Sequence, residues 1–384
     1  MSYKVLIFLI AFLTGFTSFA QNDYLEAKAE DLEKTYLGGP SYEVTIFPAT
    51  YKGKKPKNVV LFIADGMSLP HMHAGMTANH GRLFLENFKH MGFLKTHSAE
   101  SYITDSAAGG TALATGQKTY NAAIGVDMDK KPLKTILQEA SEKGLATGLV
   151  STSAITHATP ASFIAHQPNR NMYEEIAADF LKTDIDVFIG GGYKHFTTRK
   201  DGRNLVEELK EKGYRVEQDM NTIRTIKSGK LAGLMAEEHA PRVAERGDML
   251  PAATNTAISI LSNNKKGFFL MVEGSQIDWG GHAGSTIYVV EDMLDTDRTV
   301  GLALEFAAKN RETLVVVTAD HETGGMTILN GNYETGMVKG AFSTGGHTGL
   351  MVPVMAWGPG AEEFTGIMDN TEVHTKIRKL LIGN

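Results

Sequence analysis

Asn58-Val59-Val60-Leu61-Phe62-Ile63-Ala64-Asp65-Gly66 is an unbroken apolar run that ends on an acid and a glycine. Nothing in it alternates, so a strand built from it has no polar face to offer to water. Strands of this kind lie inside parallel sheets covered on both sides. The same grammar returns in Ala146-Thr147-Gly148-Leu149-Val150-Ser151-Thr152, in Asp186-Val187-Phe188-Ile189-Gly190-Gly191-Gly192, in Gly267-Phe268-Phe269-Leu270-Met271-Val272-Glu273 and in Thr313-Leu314-Val315-Val316-Val317-Thr318-Ala319-Asp320. Each follows a helix-like segment, over 133–143, 172–182, 249–262 and 286–309, and Gly144 supplies a stop for the first. Val352-Pro353-Val354-Met355-Ala356-Trp357 is a weaker strand, and 371–381 reads as a closing helix. Strands alternating with helices predict an α/β fold, a doubly wound, mostly parallel central sheet with helices on both faces.

The ends and the composition set the context. Lys4 precedes the apolar run Val5 to Leu13, and Ser18-Phe19-Ala20 is a small-x-small site ahead of Gln21. Residues 1–20 therefore read as a secretory signal peptide. As a membrane anchor the run falls short of the ~20 residues a span needs. Export to the periplasm or the medium follows, and no later stretch is long and apolar enough to span a bilayer. The chain has no cysteine, so an exported form draws its stability from a core or from metals. Net charge is −6, one unit more negative without Lys4, and the basic residues are dispersed, which excludes a nucleic-acid-binding module. Residues 21–384 read as a single catalytic domain. Within it 21–57 form a polar lead-in, and the more polar 193–248 form a subdomain or a cap over one sheet edge.

Open α/β sheets bind ligands beyond the carboxyl ends of their strands. Asp65, Glu273 and Asp320 each stand at such an end. Three acids converging on one crevice repel one another unless cations sit among them, and divalent metals are the natural choice. Asp278-Trp279-Gly280-Gly281-His282 adds a carboxylate and an imidazole, with glycines that would let a loop curl so both face one ion. Asp320-His321 is a second such pair, and Gly345-Gly346-His347-Thr348-Gly349 holds a histidine in a glycine-rich loop. Mixed His/Asp sets suit Zn²⁺, whereas Asp65, Glu273 and a hydroxyl such as Thr159 form an oxygen set that suits Mg²⁺. Ser106, between Asp105 and Ala107-Ala108-Gly109-Gly110-Thr111-Ala112, is a candidate nucleophile at a helix start where small residues let an anion approach. Each piece alone also has a bland reading, as a cap, a turn or a structural pair; together on one chain they point to a metal-dependent phosphatase.

Thr104-Asp105-Ser106-Ala107-Ala108-Gly109-Gly110-Thr111-Ala112-Leu113-Ala114-Thr115-Gly116 resembles the nucleophile segment of alkaline phosphatases. Ala64-Asp65-Gly66-Met67, His157-Ala158-Thr159-Pro160, Val272 to Asp278, Thr318 to Glu322 and His347-Thr348-Gly349 support the resemblance, which runs from about Asn58 to Trp357. It implies an alkaline-phosphatase-like fold, a usual homodimer, and hydrolysis of small-molecule phosphate monoesters through a phosphoserine at Ser106. It also implies two Zn²⁺ and one Mg²⁺. Asp278, His282 and His347 would hold the first zinc, and Asp65, Asp320 and His321 the second. Asp65, Thr159 and Glu273 would hold the magnesium. Arg170 matches the family's phosphate-clamping arginine, whose fork fits two phosphate oxygens; the residues alone read it as a surface cation. His157 and Trp279 occupy positions where some members carry Asp and Lys, and with Asp105 they are expected to act on the ligands from behind. His71-x-His73 reads as structural. Two alternatives are a phosphodiesterase of the same superfamily and an exported phosphate- or metal-binding protein without catalysis.

Overall fold

The structure, a computed structural model, describes residues 33–383. The signal-peptide segment 1–20 lies outside the described residues. Among the described residues no helix is long and apolar enough to cross a membrane.

Among the described residues ten strands form one sheet. In chain order they are β1 (Asn58–Ala64), β2 (His90–Lys95), β3 (Ala146–Ala154), β4 (Val187–Gly191), β5 (Tyr214–Glu217), β6 (Lys230–Leu234), β7 (Phe268–Gly274), β8 (Thr313–Thr318), β9 (Val352–Trp357) and β10 (Gly366–Asp369). Across the sheet the order is β10-β2-β9-β8-β1-β7-β3-β4-β6-β5. Strand β9 runs antiparallel to both of its neighbours, and every other pairing is parallel. This is the doubly wound, mostly parallel α/β arrangement that the apolar runs predict. Every residue of β1, β7 and β8 is buried, so both faces of the sheet are covered at its centre.

Register brings the functional ends level. Ile63 pairs with Glu273 on one side and Thr318 on the other, and Ser151 of β3 pairs with Glu273. Asp65, Glu273 and Asp320 therefore leave the sheet at one edge without any loop having to reach for the site.

Three regions depart from the plain reading of the sequence. Strands β2, β5 and β10 are short and partly exposed, so no apolar run marks them. Residues 193–248 contribute β5 and β6 to one end of the sheet, together with short helices such as Leu205–Glu211. Between β8 and β9 the chain makes an excursion. Glu322–Thr323 pairs with His347–Thr348 at its base, and beyond that pair Met326–Asn332 and Met337–Phe342 form a hairpin joined by Thr35–Tyr36.

The lead-in is stitched to the body at Asp297, which is fully buried in helix Thr286–Asn310. Its carboxylate accepts from Tyr42 Oη (2.6 Å), Phe84 N (2.8 Å) and Leu85 N (3.0 Å). Burial raises the Asp297 pKa to about 6, and those three donors hold it down against that rise. Because the folded value lies above the unfolded one, protonated Asp297 adds stability below about pH 4, and this is lost as pH rises through about 6. Tyr42→Phe is expected to cost about 1.5–3 kcal/mol where Asp297 is ionised, since it removes a bond to a charged acceptor. Urea unfolding should show a larger loss at pH 8 than at pH 5; an equal loss at both would mean that Tyr42 does not act through this carboxylate.

Candidate active site

Helix Ser106–Thr115 opens on the site. Asp105 is its N-cap, and Ser106 is the first helical residue rather than the cap. One Asp105 oxygen accepts from Ala108 N at 3.0 Å; the other accepts from Ala122 N and from Arg170 Nη1, both at 3.0 Å. A single acid thus ends the helix and aims the guanidinium. The small residues have a packing reason: a Cβ at Gly109 would lie 3.1 Å from both the Cβ and the backbone oxygen of Asp320. Ser106 is 2% exposed, and its Oγ lies 3.2 Å from His321 Nε2.

Asp278 and His282 do not sit on a curled loop. They lie one turn apart on helix Gln276–Ala283, where i and i+4 share a face. The intervening glycines serve close packing instead. A Cβ at Gly280 would stand 2.7 Å from Val289 N, and one at Gly281 would stand 2.7 Å from Thr323 O. His347 likewise sits in the two-residue strand His347–Thr348, not in a free loop.

The imidazoles converge with their lone pairs foremost. His282 Nδ1 donates to Gly345 O (2.7 Å) and His347 Nδ1 to Thr104 O (2.9 Å), since a carbonyl can only accept. Thr323 Oγ1 donates its one hydrogen to Asp278, so it accepts from His321 Nδ1 at 3.2 Å. In each neutral ring Nε2 is left as an acceptor. Yet His282 Nε2 and His347 Nε2 face each other at 3.2 Å, and both face Asp278 Oδ1, at 3.3 and 3.5 Å. Two lone pairs and a carboxylate oxygen so placed repel one another unless a cation lies among them. The 3.2 Å separation suits two nitrogens on one tetrahedral zinc with bonds of ~2.0–2.1 Å.

Among the described residues the deeper carboxylates are each half satisfied. Asp65 Oδ2 is met by Thr159 Oγ1 at 3.5 Å, while Oδ1 has no hydrogen-bond partner. Glu273 Oε2 accepts from Ser151 and Ser153, and Oε1 is bare. Asp320 Oδ1 accepts from His321 N (3.1 Å) and Gly66 N (3.4 Å), and Oδ2 is bare. Burial raises the Asp65 pKa well above the carboxylate range, and Asp320, Asp278 and Glu273 add to the rise. Burial likewise raises Glu273 and Asp320. It pushes His321 well below the ordinary imidazole value, with His347 adding to the effect. Among the described residues two groups could hold a metal: Asp278, His321 and His347, and Asp65, Asp320 and His321, the ligand atoms of each lying within 4.8 Å of one another. Orphaned oxygens and facing nitrogens fit divalent cations.

Arg170 points inward, where the residues alone suggest a surface cation. Burial works against its charge, and Asp105 foremost, then Asp65 and Tyr173, outweigh it and raise its pKa. Its Nη2 donates to His157 Nε2 at 3.3 Å. His157 is half-buried and kept neutral by the desolvation of its ring, then by Arg170 and His239. Its ring packs edge-on to His239 (5.3 Å) and Trp279 (6.4 Å). His71 and His73 stay apart from the cluster, bonded to Thr323 O (3.1 Å) and Tyr333 Oη (2.9 Å). Reading the sequence missed Thr323, Ser151, Ser153 and His239. The serines carried a signal, two hydroxyls at alternate positions closing an apolar strand.

Comparison with known proteins agrees with this geometry. The family model for alkaline phosphatase matches residues 56–343. The chain is 36% identical to Alkaline phosphatase 4 of Bacillus subtilis (strain 168), over 85% of this chain and 88% of that one. It is 30% identical to the alkaline phosphatase of Escherichia coli (strain K12), over 85% and 86%. The solved alkaline phosphatase of the Antarctic bacterium TAB5 is 43% identical, with a TM-score of 0.81 covering 87% of this chain and 100% of that one. A variant of that protein has been solved with Mg bound in its M3 site.

Proposed function

The chain belongs to the alkaline phosphatase family and is a phosphomonoesterase, and from that premise we propose an exported homodimer that works with two Zn²⁺ and one Mg²⁺ through a phosphoserine at Ser106. Asp278, His282 and His347 would hold one zinc, and Asp65, Asp320 and His321 the other. Asp65, Glu273 and Thr159, whose hydroxyl meets Asp65, would hold magnesium. When bound, the metals supply Lewis-acid charge that favours an alkoxide nucleophile and a neutralised leaving oxygen.

The chain's own residues do the rest. Arg170, fixed by Asp105 and His157, presents its fork to two phosphate oxygens. The N-terminus of helix Ser106–Thr115 adds favourable dipole to the same anion. Ser106 Oγ gives up its proton to solvent and attacks phosphorus; the Oγ–P bond forms as the ester P–O bond breaks, and the leaving oxygen takes a proton from solvent and departs as the alcohol. Water then attacks phosphorus from the opposite side, the Oγ–P bond breaks, and phosphate leaves with Ser106 restored. Asp105 and His157 position Arg170, and Thr323 positions both Asp278 and His321. The composition of residues 1–20 supports export, and family membership alone supports the dimer.

The observation that carries the metal assignment is the facing Nε2 pair of His282 and His347 above three half-satisfied buried carboxylates. The test is hydrolysis of p-nitrophenyl phosphate before chelation, after it, and after reloading. Activity should vanish on stripping and return fully only with Zn²⁺ and Mg²⁺ together. Full activity in verified metal-free protein would overturn the assignment. Bis-p-nitrophenyl phosphate, a diester with one charge fewer for Arg170 to meet, should turn over far more slowly.

A further inference from the structure

His71 belongs to neither candidate metal group, yet it is a fully buried imidazole. It lies in the first turn of helix Leu69–Ala78. A polar ring so placed is costly unless its nitrogens are bonded. Both are, and their partners fix one tautomer. Nδ1 accepts from Ser68 N (3.2 Å), a group that can only donate, and lies 2.9 Å from Ser68 Oγ. Nε2 lies 3.1 Å from Thr323 O, a group that can only accept. The proton is therefore on Nε2 and points at Thr323. Burial lowers the His71 pKa to about 4, which agrees with a neutral ring.

What His71 holds is the junction of the two groups. Thr323 Oγ1 donates to Asp278 and accepts from His321 Nδ1 at 3.2 Å. Asp278 belongs to one group and His321 to both. The segment that follows Asp65 grips the Thr323 backbone by both of its polar groups. Its N–H donates to Gly66 O at 3.1 Å, and its C=O accepts from His71. Space there is tight as well: a Cβ at Gly66 would stand 2.9 Å from Thr323 Oγ1 and 2.7 Å from the Cα of Asp278. With the Gly66 bond alone, Thr323 could tilt and carry its hydroxyl away from Asp278 or His321. The bond from His71 is a second anchor that opposes the tilt. A residue present only to fill space needs no such bond; a leucine would fill the site without reaching a carbonyl 252 positions away in sequence.

We propose that His71, oriented by Ser68, is a positioning residue for the metal ligands, acting on Asp278 and His321 through the hydroxyl of Thr323. The inference rests on the zinc assignment made above. The full chain loaded with Zn²⁺ and Mg²⁺ would be titrated with a chromogenic chelator at pH 8, which reads zinc affinity without any turnover. The parent, His71→Leu, His71→Gln, Thr323→Ala and the double variant His71→Leu/Thr323→Ala would be compared, each well below its melting temperature. Groups that orient metal ligands from behind are worth about 10–100-fold in affinity, and His71→Leu should weaken zinc about tenfold. His71→Gln, which offers an amide N–H to Thr323 O and an oxygen to Ser68, should come back to within about threefold of the parent. In the Thr323→Ala background His71→Leu should change affinity by less than about twofold, because its route to the ligands is already cut. Affinity in His71→Leu within about twofold of the parent would overturn the role, whatever happens to its melting temperature. So would a further loss of about tenfold on top of Thr323→Ala, which is what a general support of the fold would give. A parent that takes up no zinc would overturn the zinc assignment itself, and the positioning role with it. Should His71→Leu not fold, Ser68→Ala decides: binding about threefold weaker, with the loss absent in the Thr323→Ala background, supports the role, and parent-like affinity overturns it.

Discussion

Ser106→Ala is expected to lower turnover of p-nitrophenyl phosphate by about 10³-fold or more and to leave no phosphoserine on the chain. The expectation comes from how little else the change touches. Among the described residues Ser106 Oγ has one close partner, His321 Nε2 at 3.2 Å, and that nitrogen also lies 3.5 Å from Asp65 and 3.3 Å from Asp320. Losing the hydroxyl removes neither a metal ligand nor a contact of Arg170, which is held by Asp105 and His157. Alanine also keeps the first helical position without strain. Bound metal, measured by elemental analysis, should therefore equal that of the parent while acid-quench labelling finds no phosphoenzyme. The residual rate would be water attacking a phosphate that is still bound and still neutralised. Turnover close to that of the parent with no phosphoserine would sink the covalent scheme.

Asp65→Asn should produce an effect whose sign depends on metal. In the metal-free chain Asp65 is buried beside Asp320, Asp278 and Glu273, and its pKa is raised for those reasons. A carboxyl whose folded pKa lies above its unfolded value binds its proton more tightly in the fold. Its favourable share is thus present at low pH and lost as pH rises above the ordinary carboxylate range. At pH 8 the parent bears the strain of an ionised Asp65, and the amide does not. Stripped Asp65→Asn protein should therefore melt a few degrees above stripped parent at pH 8, and the gap should close toward about pH 4. With metals added the order should reverse. Asp65 would serve both the second zinc and the magnesium, and ligand binding stabilises by about 2.7 kcal/mol at a hundredfold excess over Kd. Activity should fall by about 10³-fold or more. Equal melting shifts with and without metal would show that Asp65 is an ordinary structural acid.

Much of the fold and of the candidate metal site is legible in the amino-acid sequence. Strands β1, β7 and β8 are apolar from end to end because both of their faces are covered, and their terminal acids follow from the rule that parallel sheets bind ligands at their carboxyl ends. The parts that are not legible have physical reasons. Strand β2, His90–Lys95, is paired on both sides yet partly exposed, so its sequence lacks a clean period. The reversed direction of β9 depends on where the chain re-enters the sheet, which no local pattern encodes. The helix under Asp278 is hidden by Gly280 and Gly281, which lower helix propensity and are present because Val289 and Thr323 press against them. Arg170 looks like a surface cation because what turns it inward, Asp105, lies 65 residues away in sequence.

The excursion between β8 and β9 leaves its mark on how this protein can change. Glu322–Thr323 and His347–Thr348 zip the two ends of the excursion together beside the candidate metal site. His347 is held there by its own bond to Thr104 O, independent of the hairpin beyond. The length of chain between the zipped ends is thereby uncoupled from the position of the ligands. Doubling a loop costs only about 0.6 kcal/mol of closure entropy. Lineages or designers can lengthen, trim or replace the hairpin tip to alter what the molecule meets at its surface, while the chemistry behind the zipper stays as it was.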